Sequence, residues 1–241
     1  MIKLSVNVNK IATLRNARGG DRPNVVQAAR TCIAAGCHGI TVHPRPDGRH
    51  IRTQDVLDLA AMLTVEFNIE GYPAPEFLAL VCRVRPTQCT LVPDPPDVLT
   101  SNAGWDLRGG VTWLSDVLKR LHDHGIRTSL FLEPDPEQVR RAKDIGTDRI
   151  ELYTERYAKM FGTPEQEQVF ATFSQAALAA REVGLGLNAG HDLNLDNLPF
   201  FAQHIPGLLE VSIGHALICD ALDMGLREAV KAYLRALGYK V

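Results

Sequence analysis

The chain has 241 residues, 45% of them hydrophobic, and its 26 lysines and arginines nearly balance 28 aspartates and glutamates. This balance argues against a general nucleic-acid-binding or membrane-surface protein, and no apolar run approaches the roughly 18–20 residues that a membrane span needs. Because the first residues lack a signal-peptide pattern and the cysteines at positions 32, 37, 82, 89 and 219 form no C-x-x-C pair, we expect a cytoplasmic protein with reduced thiols and no zinc site.

Short apolar runs rich in β-branched residues predict eight strands along the chain. Most of these runs are almost continuously apolar, which is typical of strands that are covered on both faces. In chain order the predicted strands are residues 2–8, 39–44, 66–72, 88–93, 128–133, 149–153, 184–189 and 209–214.

Longer stretches between these strands carry helical patterns. Several of them end at a glycine, which is the preferred residue just beyond a helix C-terminus. The predicted helices are residues 24–35, 53–63, 113–124, 136–145, 163–183 and 220–237.

The alternation of strands and helices predicts an α/β fold, a (β/α)8 barrel with extra short helices in its loops, as a single domain over residues 1–241. The strand starts are on average about 30 residues apart, and eight βα units in about 250 residues are the dimensions of such a barrel. A doubly wound sheet is the alternative, but it usually has fewer strands, and neither G-x-G-x-x-G nor G-x-x-x-x-G-K-[ST] occurs. The irregular stretch 94–110 is predicted to be functional because of its length.

Polar side chains gather where the predicted strands end. In this type of barrel the active site forms at the carboxyl ends of the strands. A purely structural barrel has no reason to carry such groups, because buried charges are costly unless they are paired. In chain order they are Asn7, Asn9, Lys10, His43, Arg45, Glu70, Thr100, Glu133, Glu151, Tyr153, His191, Asp192, Ser212, Gly214 and His215.

Histidines and glutamates are the chemically versatile members of this set. His43, His191 and His215 can give and take protons near neutral pH, although each one alone is as readily a satisfied core histidine. Glu70 and Glu151 lie within apolar strands. Burial there would raise their pKa and suit them to act as bases, and the alternative is an ion pair with an arginine.

The pattern disfavours a catalytic metal and an imine on the protein. The first strand carries Asn-Val-Asn where a metal-dependent hydrolase of this fold would carry His-x-His, and no H-E-x-x-H occurs. Lys10 is the only lysine near a predicted strand end, so imine chemistry would take its amine from the substrate. We therefore predict an enzyme without a catalytic metal and without a Schiff-base lysine.

Three segments are predicted to bind anions. Residues 212–218 lead through a glycine-containing turn into the last helix, and backbone N–H groups at such a turn bind phosphate. A basic, glycine-containing loop is predicted over residues 12–22, and a second basic cluster follows at Arg45, Arg49 and His50. The alternative for both is that these basic residues are simply exposed to solvent at the edge of the barrel. However, the N–H groups of an arginine guanidinium match the geometry of phosphate oxygens. Together these segments suggest two phosphorylated ligands or one bisphosphate, with the first loop as a closing lid.

Several of these motifs, taken together and in order, closely resemble the pyridoxine 5′-phosphate synthase family. The resemblance covers essentially the whole chain. The run IATLRNARG and the signatures NAGH and IGHA are its most specific parts. The matching segments are residues 6–19, 39–45, 49–51, 67–70, 91–93, 187–191 and 213–216.

The resemblance implies a (β/α)8 barrel enzyme of vitamin B6 synthesis. Enzymes of this family typically form a homo-octamer built from dimers. Enzymes of this family join 3-amino-2-oxopropyl phosphate to 1-deoxy-D-xylulose 5-phosphate and release pyridoxine 5′-phosphate, phosphate and water. They need no metal or cofactor. This agrees with the two anion sites and the several acid–base groups read from the residues.

The resemblance also assigns roles to individual residues. His43 and Glu70 match the general bases, His191 the proton donor, and Glu151 the group that stabilises transition-state charge. The amino ketone phosphate would contact Asn7, Arg18, Asp192, Gly214 and His215. Asp192 is assigned because it is the residue after His191. The deoxyxylulose phosphate would contact Arg45, His50 and Thr100, together with the pair at positions 9 and 10.

The chain departs from the family pattern at two places. Many members have Asp-His where this chain has Asn9 and Lys10, so a carboxylate is missing and a fixed cation is present. Many members have glycine at the position of Asp192. Its backbone N–H can serve as glycine's does, and we expect its side chain to point away from phosphate or to pair with a cation.

Two other functions are compatible with the residues alone. One is a metal-free phosphosugar isomerase or aldolase, in which Glu70 or His43 abstracts a proton next to a carbonyl. The other is a non-catalytic barrel that binds a phosphorylated ligand. Phosphate release only in the presence of both substrates would distinguish the synthase from either.

Overall fold

The computed structural model describes residues 1–93, 103–109 and 111–241. Its eight strands form one closed, all-parallel barrel in chain order, in which β1 pairs with both β2 and β8. This confirms the predicted (β/α)8 architecture. The strands are β1 (Lys3–Asn7), β2 (Gly39–Val42), β3 (Glu66–Gly71), β4 (Gln88–Leu91), β5 (Arg127–Leu132), β6 (Arg149–Tyr153), β7 (Gly186–His191) and β8 (Leu208–Ile213).

The helices surround the barrel and cover its outer face. Their buried residues, such as Val56 and Leu59, pack with the outward-facing strand residues into one continuous core. The helices of the described residues are α1 (Asn9–Asn16), α2 (Val25–Ala34), α3 (Thr53–Met62), α4 (Pro75–Val84), α5 (Thr112–Asp123), α6 (Pro136–Ile145), α7 (Glu155–Met160), α8 (Gln166–Glu182), α9 (Leu198–His204), α10 (His215–Met224) and α11 (Leu226–Ala236).

Two predicted elements are wrong in their details. The loop expected over residues 12–22 begins inside α1, where Ile11, Ala12 and Arg15 are buried. The single helix expected over residues 220–237 is two helices, because Gly225 lies between them with a φ of 81°. A positive φ cannot continue a right-handed helix and is cheap only for glycine. The short helices α4, α7 and α9 had no predicted counterpart.

Charged groups fill the amino-terminal end of the barrel. Arg127 donates to Gln88 at 2.9 Å and pairs with Glu66 at 2.5 Å. Arg149 donates to Asn188 at 3.1 Å and lies 3.5 Å from Glu210. The arginine-paired carboxylates of Glu66 and Glu210 therefore lie at the end of the barrel opposite the predicted site.

No helix among the described residues is long and apolar enough to cross a membrane. The cysteine thiols are free, and all except the exposed Cys219 are buried.

Candidate active site

The carboxyl ends of the strands surround a cavity of about 390 Å³. Side chains from strands on all sides of the barrel meet there, as the barrel geometry predicts. The lining residues are Asn7, Asn9, Lys10, His43, Arg45, His50, Glu70, Thr90, Val92, Phe131, Glu151, Tyr153, Glu155, His191, Asp192, Ser212, Gly214 and His215.

One predicted site residue of the described part of the chain, Arg18, is not on this wall. Arg18 follows α1 and is exposed, and it does not border the cavity formed by the described part of the chain. Thr100 lies outside the described residues. All the other predicted catalytic and binding residues line the cavity.

The Asn-Val-Asn segment, which leads from the end of β1 into α1, connects two elements of the site. Asn7 Oδ1 accepts a hydrogen bond from the backbone N–H of Asn9 at 3.0 Å, and Asn7 Nδ2 donates to Glu70 Oε2 at 3.4 Å. Asn9 Oδ1 accepts the backbone N–H of His43 at 2.9 Å. These asparagines thus hold the carboxylate of Glu70 and the backbone of His43 in fixed relative positions.

Two of the carboxyl groups on the wall, those of Glu70 and Glu151, have elevated proton affinity. Burial raises the pKa of Glu70 to about 7, and nearby His191 opposes this rise while Glu210 adds to it. Burial raises the pKa of Glu151 well above its ordinary value, and the charges of Glu70 and Glu210 raise it further. Near neutral pH Glu70 is therefore close to half ionised, and burial favours the protonated form of Glu151.

The glycine before His191 is required by Glu151. A Cβ at Gly190 would lie 2.9 Å from Glu151 Oε1 and 2.5 Å from the carbonyl oxygen of Ser212. The close approach explains the glycine of the NAGH motif. No hydrogen-bond partner of the buried Glu151 Oε2 is found among the described residues.

His43 and His50 are uncharged at neutral pH. Burial lowers the pKa of His43 well below its usual value, and the neighbouring Arg45, His50, Arg49 and His191 lower it further. Burial and nearby cations lower the pKa of His50 to about 4. His50 Nδ1 accepts the backbone N–H of Ile51 at 2.9 Å, so the ring proton is on Nε2.

His191 differs from these two histidines. Burial lowers its pKa, but the hydrogen bond and charge of Asp192, with smaller contributions from Glu70 and Glu155, outweigh burial and raise it overall. Its Nδ1 lies 3.1 Å from Asp192 Oδ2. The Asp192 side chain therefore contacts the ring of His191.

The anion-binding predictions are partly corrected. Gly214 lies at the N-terminus of α10 on the cavity wall, as expected for a phosphate-binding turn. Arg15 of the first basic segment is buried in an ion pair with Asp55, and Arg49 of the second pairs with Asp47 at 2.7 Å. Both arginines lie off the cavity wall formed by the described residues.

Similarity to known proteins identifies the family. The family model described as pyridoxal phosphate biosynthesis protein PdxJ matches residues 4–239. The chain belongs to this family of vitamin B6 enzymes. Pyridoxine 5′-phosphate synthase from Bacteroides thetaiotaomicron is 57% identical over 98% of this chain and 100% of that protein. The synthase from Flavobacterium johnsoniae is 53% identical over 98% and 100%, respectively.

Solved structures outside the synthase family share only its fold. Phosphoribosylanthranilate isomerase from Thermotoga maritima superimposes with a TM-score of 0.62 and 10% identity, over 99% of both chains. Tryptophan synthase from M. tuberculosis gives a TM-score of 0.64 and 14% identity, over 99% of this chain and 94% of that chain. These likenesses concern the barrel and not its chemistry.

The synthase cavity contains residues that the sequence analysis overlooked. Thr90, Val92, Phe131 and Glu155 line it, whereas Glu133, predicted at a strand end, is exposed and accepts the N–H of Gly104 at 3.4 Å. The strand ends at Leu132, so the pleat no longer sets the direction of Glu133. Side chains alternate between the two faces of a strand. Counting this alternation back from the end of β5 could have placed Phe131 on the cavity wall.

Proposed function

We propose that this enzyme condenses 3-amino-2-oxopropyl phosphate with 1-deoxy-D-xylulose 5-phosphate to form pyridoxine 5′-phosphate, phosphate and water. One observation carries the proposal. A single cavity brings together four proton carriers, His43, Glu70, Glu151 and His191, beside the cationic groups of Lys10 and Arg45. The family membership supports the same conclusion.

The protonation states of these groups suit a reaction that moves several protons. His43 is neutral and available as a base, and Glu70, with a pKa of about 7, can accept and return a proton. His191 retains its proton better than an ordinary histidine and serves as the donor. Glu151, as a neutral acid, donates a hydrogen bond to negative charge that develops in the transition state.

The chemistry proceeds through an imine between the two substrates. The amine of the amino ketone attacks the carbonyl of the sugar and water leaves, so no lysine of the enzyme takes part. Dehydration, loss of phosphate and ring closure then each need a proton removed at one atom and delivered at another. One enclosed cavity that holds both substrates removes much of the entropic barrier.

We assign the two phosphate groups to different residues of the site. Gly214 and His215 at the turn, Asn7 and the backbone of Asp192 bind the amino ketone phosphate on the cavity wall. We also assign to this phosphate Arg18, which lies off the wall. The other phosphate is bound by Lys10, Arg45 and Thr100, by Asn9, and by His50, whose Nε2–H is a neutral donor. We also propose a homo-octamer in the cytoplasm, as in the related family, and exposed apolar residues such as Leu222, at 75% exposure, support an assembly.

The direct test supplies purified protein with both substrates, or with each one alone, in the presence of a chelator. We expect the fluorescent pyridine product, and phosphate release, only when both substrates are present. Phosphate release or isomerisation with a single substrate would support an isomerase or aldolase instead. Loss of product on chelation would contradict a reaction without metal.

The pH dependence of turnover is expected to report Glu70. Its pKa of about 7 means that the base form is lost as the pH falls through 7. At saturating substrates kcat should therefore decline about tenfold per pH unit on the acid side of this midpoint. Turnover measured from pH 5.5 to 9 checks this, and a flat profile down to pH 5.5 would remove Glu70 as the base.

Substitution of Lys10 by methionine is expected to weaken one substrate only. A charge-assisted contact to phosphate contributes about 1.5–3 kcal/mol, so KM for deoxyxylulose phosphate should rise at least about tenfold. KM for the amino ketone phosphate should stay within about twofold. Steady-state kinetics with each substrate varied in turn measure both, with Lys143→Met on the exposed face of α6 as the matched control. Equal changes in both KM values would contradict the assignment.

A further inference from the structure

His191 occupies an unusual backbone position at the end of β7. Its φ is 84°, in the left-handed region that residues with a Cβ rarely adopt. Such a conformation is unfavourable by itself and persists where the surroundings enforce it. Here the conformation places the imidazole on the cavity wall with its Nδ1 3.1 Å from Oδ2 of Asp192.

The segment after His191 is held rigidly, and with it Asp192. Asn197, which is 1% exposed, donates from Nδ2 to the carbonyl oxygen of Asp192 at 3.3 Å and accepts the N–H of Asn194 at 2.9 Å. The hydroxyl of Tyr157 in turn donates to the carbonyl oxygen of Asn197 at 2.8 Å. The backbone of Asp192 is therefore held in a hydrogen-bonded turn, from which its carboxylate reaches the ring of His191.

Two aromatic rings contact the imidazole. The Tyr153 ring lies edge-on to it at 5.3 Å with an interplanar angle of 85°, and Phe131 lies at 6.2 Å. With these rings beside the imidazole, the Asp192 contact engages its Nδ1. An engaged Nδ1 leaves Nε2 to exchange protons with a ligand.

We propose that Asp192 is a positioning residue whose side-chain carboxylate fixes the His191 imidazole through Nδ1 and keeps it in the cationic, proton-donating form. This inference rests on the proposed function, in which His191 is the proton donor. In this role the side chain of Asp192 contacts His191, which a glycine at this position cannot do because it has no side chain. This role is separate from the backbone contact to phosphate.

The charges around His191 favour this role. Asp192 acts from the same turn, Glu70 from β3 and Glu155 from α7, and all three raise the pKa of His191, whereas burial lowers it. His43, on the neighbouring side of the cavity, is uncharged at neutral pH and does not oppose the cation. Asp192 contributes both the hydrogen bond and the largest of these charge effects, so its removal should have the largest consequence.

The experiment compares Asp192→Asn and Asp192→Gly with Asp196→Asn, which removes an exposed carboxylate of the same turn. The ring Cε1–H resonance of His191, identified by its loss in His191→Gln, is titrated by NMR. We expect the midpoint to fall by about one pH unit in both Asp192 variants and to stay in place in the control. An unchanged midpoint in either Asp192 variant overturns the proposal.

The pH profile of turnover supplies the second readout. In both Asp192 variants the alkaline limb should move to lower pH, so that kcat falls about tenfold at pH 8.5 and stays within about threefold at pH 6. An equal loss at every pH would mean a structural role only and would overturn the proposal. Absence of product from the parent enzyme would reject the proposed function by itself, whatever the titration of His191 gives.

Discussion

Replacement of Glu70 by glutamine is expected to lower turnover at least about 100-fold, which is the usual cost of losing an acid–base group. The side chain keeps its shape, and Asn7 retains a hydrogen-bond acceptor at this position. What disappears is a group that can take up and return a proton near neutral pH. Steady-state kinetics with both substrates measure the loss, and Glu76→Gln on the exposed start of α4 is the matched control.

A measurement of the free energy of unfolding distinguishes the loss of the acid–base group from a loss of the folded state. The folded-state pKa of Glu70, about 7, lies above the ordinary value of 4.5. Its contribution to stability is therefore greatest below pH 4.5 and declines as the pH rises through 7, because the folded protein must then bury a charged carboxylate. At pH 8 the glutamine variant should be more stable than the parent, by at most about 3 kcal/mol in urea unfolding. Near-normal turnover in a folded variant would remove Glu70 from the mechanism.

Substitution of Arg15 by methionine is expected to reduce the free energy of unfolding by about 3–5 kcal/mol. The Arg15 guanidinium, with 3% of its side chain exposed, lies 2.5 and 2.9 Å from the two carboxylate oxygens of Asp55. Removing one partner leaves the other charge buried and unpaired, which is the costly way to break such a pair. Urea unfolding at pH 7 measures the loss, and Arg30→Met on the exposed face of α2 should change stability by less than about 0.5 kcal/mol.

A second substitution tests the cause of that loss. Asp55→Asn in the Arg15→Met background removes the stranded charge and keeps an oxygen for the N–H of Arg52, which Asp55 accepts at 2.8 Å. The double variant should recover at least about 1 kcal/mol. A loss below about 1 kcal/mol in the single variant, or no recovery in the double one, would contradict the buried-pair explanation.

Arg15 also connects stability with the site. Its Nη2 donates to the carbonyl oxygen of His50 at 3.1 Å, and Asn16 Nδ2 donates to the same oxygen at 2.9 Å. These contacts hold the segment that carries His50 on the cavity wall. The first basic segment, which we predicted to be an anion-binding loop, therefore supports from α1 the segment that carries His50.

The barrel was predictable because its signal is local and repeated. Strands covered on both faces need nearly continuous apolar runs, and β6 was predicted with the bounds the structure gives it. The helix α1 was missed since its stability depends on Arg15 meeting Asp55, which lies 40 positions further along the chain. Arg15, read alone, is as compatible with a basic loop as with a buried ion pair.

The site, like the fold, has features that the local sequence predicts and features that depend on residues distant in the chain. The types of its residues, their order along the chain and their places at the strand ends were determined by the sequence, because barrel closure brings every strand end to one face. The pKa values of these residues, and so their protonation states, were decided only by the tertiary structure. A glutamate becomes a base at neutral pH, and a histidine gains or loses its proton, through burial and through neighbours that are distant in sequence, such as Glu70 beside His191.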